Sequence, residues 1–337
     1  MSGYFGLDIG SSSIKVAQVS GGTVSVVGMV DNPLSRVGVD LLPAERQKLI
    51  DVIKKLLADT SIKTKNVIFS VPEVSVFSKV MSFPVVSTAE LSSAIKWQAD
   101  QDVPLPIDEV DLSWVVIDKP VKRSGGEQMK VLVVATPKKV SKSIVEFAAD
   151  LGLEPIRAEN EIVSLARLFL PSLAKKGSSL IVDFGANALK MVAVTDGLIS
   201  LIHSYSVGGL ALSRSLVQEF SLGLTQAEQY KRAYGADPTQ VEGRVYKGLE
   251  PVVNNILDEF AKVIAGFDQA NPDQVIERVI VVGGSVFLKN FVKLLSAKLG
   301  MEVSVGNPFA GYKIDSARAS LAPMYAVAMG LAIGEKT

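Results

Sequence analysis

LDIGSSSIKV, the segment from Leu7 to Val16, has a second copy of its pattern further along the chain. In the first copy an apolar strand ends in an aspartate, a glycine permits a tight turn, and three serines precede the next apolar run. The second copy is VDFGANALKMVAV, from Val182 to Val194, in which Asp183 aligns with Asp8 without a gap. A further strand follows each copy, so the sequence predicts a β-hairpin that is repeated in each half of the chain.

Two facing hairpins of this kind suit a metal-bound phosphate ligand, because each offers a carboxylate beside a turn with free backbone N–H groups. Asp8 and Asp183 would hold Mg²⁺ mostly through water, since Mg²⁺ gives up its hydration shell reluctantly. The N–H groups and hydroxyls of Ser11–Ser13 would surround phosphate oxygens, and Lys15 would bring a positive charge to them. A structural alternative stays open: turn-capping aspartates, solvated serines and a lysine on a strand surface.

The composition limits the classes of function. The 337 residues are 48% hydrophobic and 21% charged, which indicates a globular chain with room for two or more domains. Thirty-five basic residues balance 35 acidic ones, so the chain has no electrostatic footprint for nucleic acid. The lack of cysteine excludes disulfides and thiolate chemistry. His203, the single histidine, is interpreted as structural and without an obvious partner, and a zinc site is not expected.

Neither end of the chain predicts insertion into a membrane. MSGYFGLDIG lacks the basic segment and apolar run of a secretory signal. The apolar stretch 317–334 contains an arginine, a proline and two glycines, so it is interpreted as a buried helix and not as a membrane span.

A compact unit is predicted within the first lobe. Strands are expected at Asn66–Pro72 and Val74–Phe83, as partners of each other. Ser87 and Glu90 have the spacing of a capping box for a helix. A hairpin with the loop KRSGGE, another helix and a short strand at Glu154–Arg157 complete an α+β insertion. Its hairpin would have either an open edge for a partner strand or a covered one.

Two pairs of glycines complete the set of candidate ligand-binding turns. SVGG, at Ser206–Gly209, precedes a helix, and its glycines would let a ligand approach the helix N-terminus. VIVVGGS, at Val279–Ser285, runs from a buried strand through a double glycine into a helix. This glycine pair would let adenosine lie against bare backbone, whereas a tight strand-to-helix turn is the structural alternative.

The order of these motifs is typical of one superfamily. LDIGSSSIKV, VDFGANALKMVAV and VIVVGGSVFLKN resemble the first phosphate, second phosphate and adenosine motifs of the actin, Hsp70 and sugar-kinase superfamily. Within it, the chain resembles the PilM family of type IV pilus assembly and, at greater distance, the cell-division FtsA family. DVPLPIDEVDLSW, at Asp102–Trp114, is the specific part of this resemblance, because generic actin-like ATPases lack it. QAEQYK, at Gln226–Lys231, is also typical of PilM.

The resemblance covers essentially the whole chain and implies its fold class. This is an α/β, two-lobed actin/Hsp70/sugar-kinase-like (ribonuclease H-like) fold with an inserted α+β subdomain of the FtsA/PilM type. The implied first lobe comprises residues 1–86 and 158–178, with the helix 317–334 packing back on it, and the insertion comprises residues 87–157. The second lobe comprises residues 179–222 and 273–316, with a helical subdomain at 223–272. The loop KKGSS would be the hinge between the lobes.

The resemblance also implies that ATP or ADP binds between the lobes with Mg²⁺, which Asp8 and Asp183 would contact through water. The implied nucleotide-binding residues are Gly10, Ser11, Ser12, Ser13 and Lys15 of the first phosphate motif, Gly185, Ala186 and Asn187 of the second, Gly208 and Gly209 of the glycine turn, Glu228 and Lys231 near the nucleoside, and Gly283, Gly284 and Ser285 of the adenosine motif. Without the resemblance, the pair Glu228 and Lys231 would be an ordinary exposed helix pair.

One departure from the family pattern affects catalysis. The second phosphate motif usually carries a run of serine and threonine after Gly-Ala, but here the run is Asn187, Ala188, Leu189 and Lys190. Backbone N–H groups can still bind phosphate, whereas an ordered attacking water loses its hydroxyl partners. No glutamine or glutamate base is evident from the sequence, so catalytic residues stay unassigned. We therefore expect ATP binding with slow hydrolysis or none.

The family implies a cytoplasmic scaffold at the inner membrane, reached through partners. Its expected partner is the N-terminal cytoplasmic tail of PilN, with other platform proteins, the assembly ATPases and self-association as further possibilities. The helix Glu90–Asp100 and the segment Val103–Leu112 are expected to form one wall of the PilN groove. Two alternatives remain at this stage: an FtsA-like membrane-associated filament protein, and a small-molecule kinase of the same fold.

Overall fold

A computed structural model describes residues 3–34, 36, 41–118, 128–173, 177–314 and 316–334. The predicted loop KRSGGE and the lysines of the predicted hinge KKGSS lie outside these described residues. The strands that the structure describes are β1 (Phe5–Ile9), β2 (Ser13–Ser20), β3 (Thr23–Asp31), β4 (Asn66–Val71), β5 (Phe77–Pro84), β6 (Val110–Asp118), β7 (Gln128–Pro137), β8 (Glu154–Asn160), β9 (Ser178–Phe184), β10 (Leu189–Thr195), β11 (Leu198–Tyr205), β12 (Ile276–Val282) and β13 (Glu302–Val305). The α-helices are α1 (Pro43–Asp59), α2 (Thr88–Asp102), α3 (Lys138–Leu151), α4 (Glu161–Phe169), α5 (Gly209–Phe220), α6 (Leu224–Tyr234), α7 (Arg244–Ala270), α8 (Phe291–Leu299) and α9 (Ala326–Ala332).

Two five-stranded sheets share one topology. Their strand orders are β3-β2-β1-β4-β8 and β11-β10-β9-β12-β13. In each sheet the three meander strands pair antiparallel. The next strand in the order pairs parallel with the central strand, and the last one pairs parallel with that neighbour. The central strands β1, β4 and β9 are buried almost throughout, which explains their continuous apolar sequences. The duplication that the repeated motif predicts is therefore confirmed at the level of whole sheets.

Each sheet has its own apolar cluster. In the first lobe, α1 begins at Pro43, a residue suited to the first helical position, and buries Leu49, Ile53 and Leu56 against β1 and β2. In the second lobe the long helix α7 buries Val253, among others, in one cluster with β9 and β12. A third cluster lies between the lobes and includes residues of α4 and α9.

The third sheet has the order β5-β7-β6 and is antiparallel. Helix α2 covers one face, and it begins with the predicted capping box: Ser87 N donates to Glu90 Oε2, and Glu90 N to Ser87 Oγ. The other face lies against β11 of the second sheet, where Leu132 packs in the same cluster as Ile202. The inserted sheet therefore contacts both lobes.

Two strands pair differently from the sequence-based expectation. β5 was expected to pair with β4 but pairs with β7, because β1 and β8 already occupy both edges of β4. β8 was expected within the insertion but extends the first sheet, parallel to β4. Parallel strands need a crossover connection, and α3 is the helix of that connection that directly precedes β8. It packs Phe147 and Leu151 into the first-lobe core. The subdomain boundaries given above stay a prediction.

The last described segment is not one helix over 317–334. A 3₁₀ helix at Ser316–Tyr325, which contains Pro323, precedes the short helix α9. Proline lacks the N–H that an α-helix interior requires, so the regular helix begins only after it. All seven residues of α9 are buried, and the helix lies against β1, β2, β4 and α4, which confirms the predicted buried helix. Among the described residues, no helix has both the length and the apolar character that crossing a bilayer requires.

Candidate functional site

The two hairpins place an aspartate opposite a lysine in the same way. Asp8 pairs with Lys15 across β1 and β2, and Lys15 Nζ lies 3.2 Å from Asp8 Oδ2. Asp183 pairs with Lys190 across β9 and β10, and Lys190 Nζ lies 3.0 Å from Asp183 Oδ2. Directly opposed residues of an antiparallel pair share one face of the sheet, so the seven-residue spacing produces these contacts.

The turns between these strands are also equivalent. Gly10 N donates to Ser13 O over 3.1 Å, and Gly185 N donates to Ala188 O over 3.0 Å. No described residue accepts from the next two N–H groups of either turn, which belong to Ser11 and Ser12 in the first copy and to Ala186 and Asn187 in the second. Adjacent free N–H groups in a turn bind anions well, so both turns suit phosphate oxygens.

A Cβ on Gly10 would lie 2.9 Å from Ser13 O and 3.1 Å from Lys15 Nζ, so this turn requires glycine. Ser13 itself is buried as the first residue of β2, whereas Ser12 is exposed. Of the three serines, Ser12 is thus the most accessible to a ligand.

Glu161, which the sequence analysis missed, lies at the centre of the site. It is the first residue of α4, which Asn160 caps by accepting a hydrogen bond from Ile162 N over 2.7 Å. Glu161 is 2% exposed, and its Oε2 lies 2.8 Å from Lys190 Nζ. Lys190 therefore bridges Glu161 of the first lobe and Asp183 of the second. The asparagine cap followed by an acidic residue in ENEIVSLARLF was the signal that could have revealed it.

Burial and charge shift the pKa values of this group. Burial raises the pKa of Glu161 above its ordinary value, and the charge of Lys190 offsets that effect only in part. Burial alone would lower the pKa of Lys190, but the carboxylates of Asp183, Glu161 and Asp8 outweigh it and hold this pKa above its ordinary value. Lys190 is therefore a permanent cation between buried carboxylates.

Glu73 forms a second buried acidic position beside α4. Its carboxylate accepts hydrogen bonds from Asn160 Nδ2 and, over 3.4 Å, from Ser78 Oγ, and its N–H donates to Glu161 Oε2 over 3.5 Å. Burial raises the pKa of Glu73 to about 7, although the Asn160 amide acts in the opposite direction.

The carboxylates fit a hydrated metal ion better than a directly bound one. Asp8 Oδ1 accepts a hydrogen bond from Ser70 Oγ over 3.2 Å, and its Oδ2 contacts Lys15. Asp183 is bound to Lys190. In the described part of the chain, no group of three or more acidic, histidine or cysteine side chains is arranged to hold a metal ion. Water-mediated contact of Asp8 and Asp183 with Mg²⁺ stays a prediction.

The expected nucleoside side of the site is assembled around one carbonyl group. Gly209 N and Ser285 Oγ both donate to Gly185 O, over 3.0 and 2.9 Å. Lys231 Nζ donates to Gly209 O over 2.8 Å and lies 2.6 Å from Glu228 Oε2. The structure therefore brings together the second phosphate turn, the glycine turn, the adenosine motif and the Glu228–Lys231 pair.

Close packing within the chain already requires glycine in two of these turns. A Cβ on Gly208 would lie 2.6 Å from the carbonyl oxygens of Gly185 and Ala186, and one on Gly283 would overlap the Asp183 carboxylate. Gly283 also has a φ of +91°, and a 3₁₀ helix at Gly284–Phe287 precedes α8. A tight turn after the strand, the structural alternative, thus explains Gly283. Contact of the motif with adenosine stays a prediction.

His203 lies on β11, and its Nε2 is 2.7 Å from Glu259 Oε1 on α7. The expectation that it has no obvious partner was wrong, because the partner is 56 residues away in the chain. The contact joins the edge strand to the long helix, as a structural role requires.

Comparisons with known proteins agree with this architecture. A family model described as type IV pilus assembly protein PilM matches residues 6–336. Among solved structures, the chain is similar to a PilM–PilN type IV pilus biogenesis complex, with a TM-score of 0.87 and 24% identity over 98% of this chain and 97% of that chain. It is also similar to the ethanolamine utilization protein EutJ from Carboxydothermus hydrogenoformans, with a TM-score of 0.57 and 17% identity over 98% and 89% of the two chains. MreB5 of Spiroplasma citri bound to AMPPNP has a TM-score of 0.54 and 14% identity over 98% and 95%. The fold is therefore the actin-like ATPase fold.

Proposed function

Because the chain belongs to the family of the type IV pilus assembly protein PilM, we propose that it is a nucleotide-binding scaffold of type IV pilus assembly. It binds ATP or ADP, accompanied by Mg²⁺, in the cleft between its lobes. It also binds the N-terminal cytoplasmic tail of PilN, and this partner holds it at the inner membrane. ATP is hydrolysed slowly or not at all.

The observation that carries the nucleotide-binding proposal is the pair of equivalent turns. The free N–H groups of Ser11 and Ser12 in one lobe, and of Ala186 and Asn187 in the other, suit the phosphates of a single ligand. The glycine turn and the adenosine motif adjoin the second of these turns. MreB5, which shares the fold, has been solved with AMPPNP bound, and this supports a nucleotide as the ligand.

Slow hydrolysis follows from the state of Glu161. A general base needs a free lone pair that can reach the attacking water. Lys190 Nζ lies 2.8 Å from Glu161 Oε2, and Glu73 N donates to the same oxygen. Because Glu161 is also only 2% exposed, we infer that it orders the cleft through Oε2 and is poorly placed to activate water. The nucleotide then acts as a ligand that holds the lobes together.

The PilN tail is proposed as partner because a similar structure is a PilM–PilN complex. The wall of its groove would comprise α2 and the segment Val103–Leu112. Val103 and Val110 fix this segment by packing with Ala99 and Ala135, while Leu105 is left 39% exposed. An apolar side chain held outward on a fixed segment suits contact with a peptide.

A calorimetric titration with a synthetic N-terminal tail of the cognate PilN tests the scaffold proposal. We expect saturable one-to-one binding to the ATP-loaded protein, and weaker binding to the variant Leu105→Asp. Val275→Asp is the matched control, because Val275 is 46% exposed and lies before β12 in the second lobe. Flat heats with nucleotide bound would overturn PilN as partner, and equal losses in both variants would exclude the proposed wall.

A further inference from the structure

Lys190 differs from its counterpart in the first hairpin. Among the described residues, Lys15 forms an ion pair with Asp8 alone. Lys190 Nζ lies within 3.0 Å of two carboxylates from different lobes, Asp183 and Glu161. The side chain of Lys190 is only 17% exposed, and those of Asp183 and Glu161 are 11% and 3% exposed. The side chain of Lys15 is equally buried, at 13% exposed, so the second hairpin differs in that its buried cation is shared by two carboxylates.

Buried carboxylates need a positive charge beside them, because an uncompensated buried charge is strongly destabilising. In a phosphate site a bound divalent ion commonly supplies that charge and sets the local electrostatics. In this cleft the ammonium of Lys190 already lies between the carboxylates. A metal ion bound directly by Asp183 and Glu161 would have to displace it from both oxygens.

We propose that Lys190 is a built-in cation that joins Asp183 to Glu161 in place of a divalent metal ion, so that adenine nucleotides bind with little dependence on Mg²⁺. This inference rests on the proposed nucleotide binding. Mg²⁺ accompanies the phosphates in solution, but the protein does not need it to neutralise its own carboxylates. The strand β10 fixes the base of the Lys190 side chain, because Leu189 and Met191 on either side are fully buried.

Calorimetric titration of ATP, once with MgCl₂ and once with EDTA, tests the inference in the wild-type protein. We expect the dissociation constant for ATP to change less than about threefold on chelation. In the variant Lys190→Thr, chelation should weaken ATP binding more than about tenfold. Lys190→Arg keeps the positive charge, so its dissociation constant should change less on chelation than that of Lys190→Thr. Lys298→Thr is the surface control, because Lys298 on α8 is 44% exposed and, in the described part of the chain, its ion pair is with Asp258.

A second readout needs no nucleotide. MgCl₂ alone should leave the melting temperature of the wild type unchanged and raise that of Lys190→Thr, because a ligand that binds only the folded state stabilises it. The removed ammonium opens the carboxylates to the metal in this variant. Lys298→Thr should not respond to MgCl₂.

The outcomes separate this inference from the proposed function. If wild-type ATP binding falls more than about tenfold on chelation, Lys190 does not replace the metal, yet nucleotide binding stands. If no adenine nucleotide binds with or without Mg²⁺, both proposals are overturned. Even if Lys190→Thr fails to fold, the comparison of wild-type ATP binding in MgCl₂ and in EDTA still tests the inference.

Discussion

The ammonium of Lys231 lies 2.8 Å from the carbonyl oxygen of Gly209, so α6 is bound to the start of α5 at the glycine turn. The same ammonium donates to Ser213 Oγ over 2.9 Å and pairs with Glu228. Because Gly209 N in turn donates to Gly185 O, this lysine connects the helical part of the second lobe to the second phosphate turn.

Replacing Lys231 by methionine should therefore destabilise the protein. The Lys231 side chain is 12% exposed, and its loss removes one charged partner from both Gly209 O and Glu228, which keep only Ser213 and, for Glu228, the exposed Arg232 among the described residues. We expect the free energy of unfolding in urea to fall by about 1–3 kcal/mol. Lys262→Met is the control, because Lys262 is 77% exposed and 3.9 Å from Glu259, so a change within about 0.5 kcal/mol is expected. An equal loss of unfolding free energy in Lys231→Met and Lys262→Met would contradict the role of Lys231.

Glu73 should make stability depend on pH. Its pKa is raised from 4.5 to about 7 in the folded state, so the folded state binds more protons than the unfolded state between these values. Its contribution to stability is therefore lost as the pH rises from 4.5 to about 7, by up to roughly 3 kcal/mol. Glu73→Gln should remove this dependence, which urea titrations of both proteins across the interval will measure. Parallel pH profiles would refute the assignment to Glu73.

Gly330 should tolerate no side chain. A Cβ at this position of α9 would overlap the backbone carbonyl of Ser164 in α4. We expect Gly330→Ala to lower the free energy of unfolding by about 1–3 kcal/mol through overpacking. The matched control is Gly266→Ala in α7, where nothing lies within 4 Å of the added carbon. The free energy of unfolding of that variant should rise by about 0.5–1 kcal/mol, because alanine favours helix more than glycine does. A stabilised Gly330→Ala would show that the two helices do not pack as described.

Hydrolysis of ATP should be far slower than the roughly 10 per second typical of enzymes. Glu161→Gln should leave that low rate unchanged, since Glu161 is only 2% exposed and Lys190 already engages its Oε2. Phosphate release under steady-state conditions measures both rates. A wild-type turnover near the typical value, abolished in Glu161→Gln, would identify Glu161 as an active base.

The parts of this structure that local chemistry determines could be predicted from the sequence. A strand, a glycine turn and a second strand are local signals, so both hairpins were predicted, and the structure adds that their register places Lys15 opposite Asp8. The capping box of α2 depends on neighbours within three positions, and it was predicted correctly.

The errors arose where distant parts of the chain meet. The partner of β5 depends on which edges of β4 are already occupied, and no local pattern records that. Glu161 gained its role from Lys190, which is 29 residues away, and its sequence context indicated only the start of a helix. His203 is similar. Local periodicity predicts the helix that carries its partner Glu259, but it does not indicate which strand that helix packs against.

The position of α9 also determines when the first lobe can finish folding during synthesis. Gly6 of β1 lies so close to α9 that a Cβ there would be 2.5 Å from Ala328 O, yet some 320 residues separate the two elements. At 5–20 residues per second, a ribosome needs on the order of 15 to 60 seconds to make that stretch. Throughout this interval one face of the first sheet is uncovered, so the lobe that emerges first completes its core last.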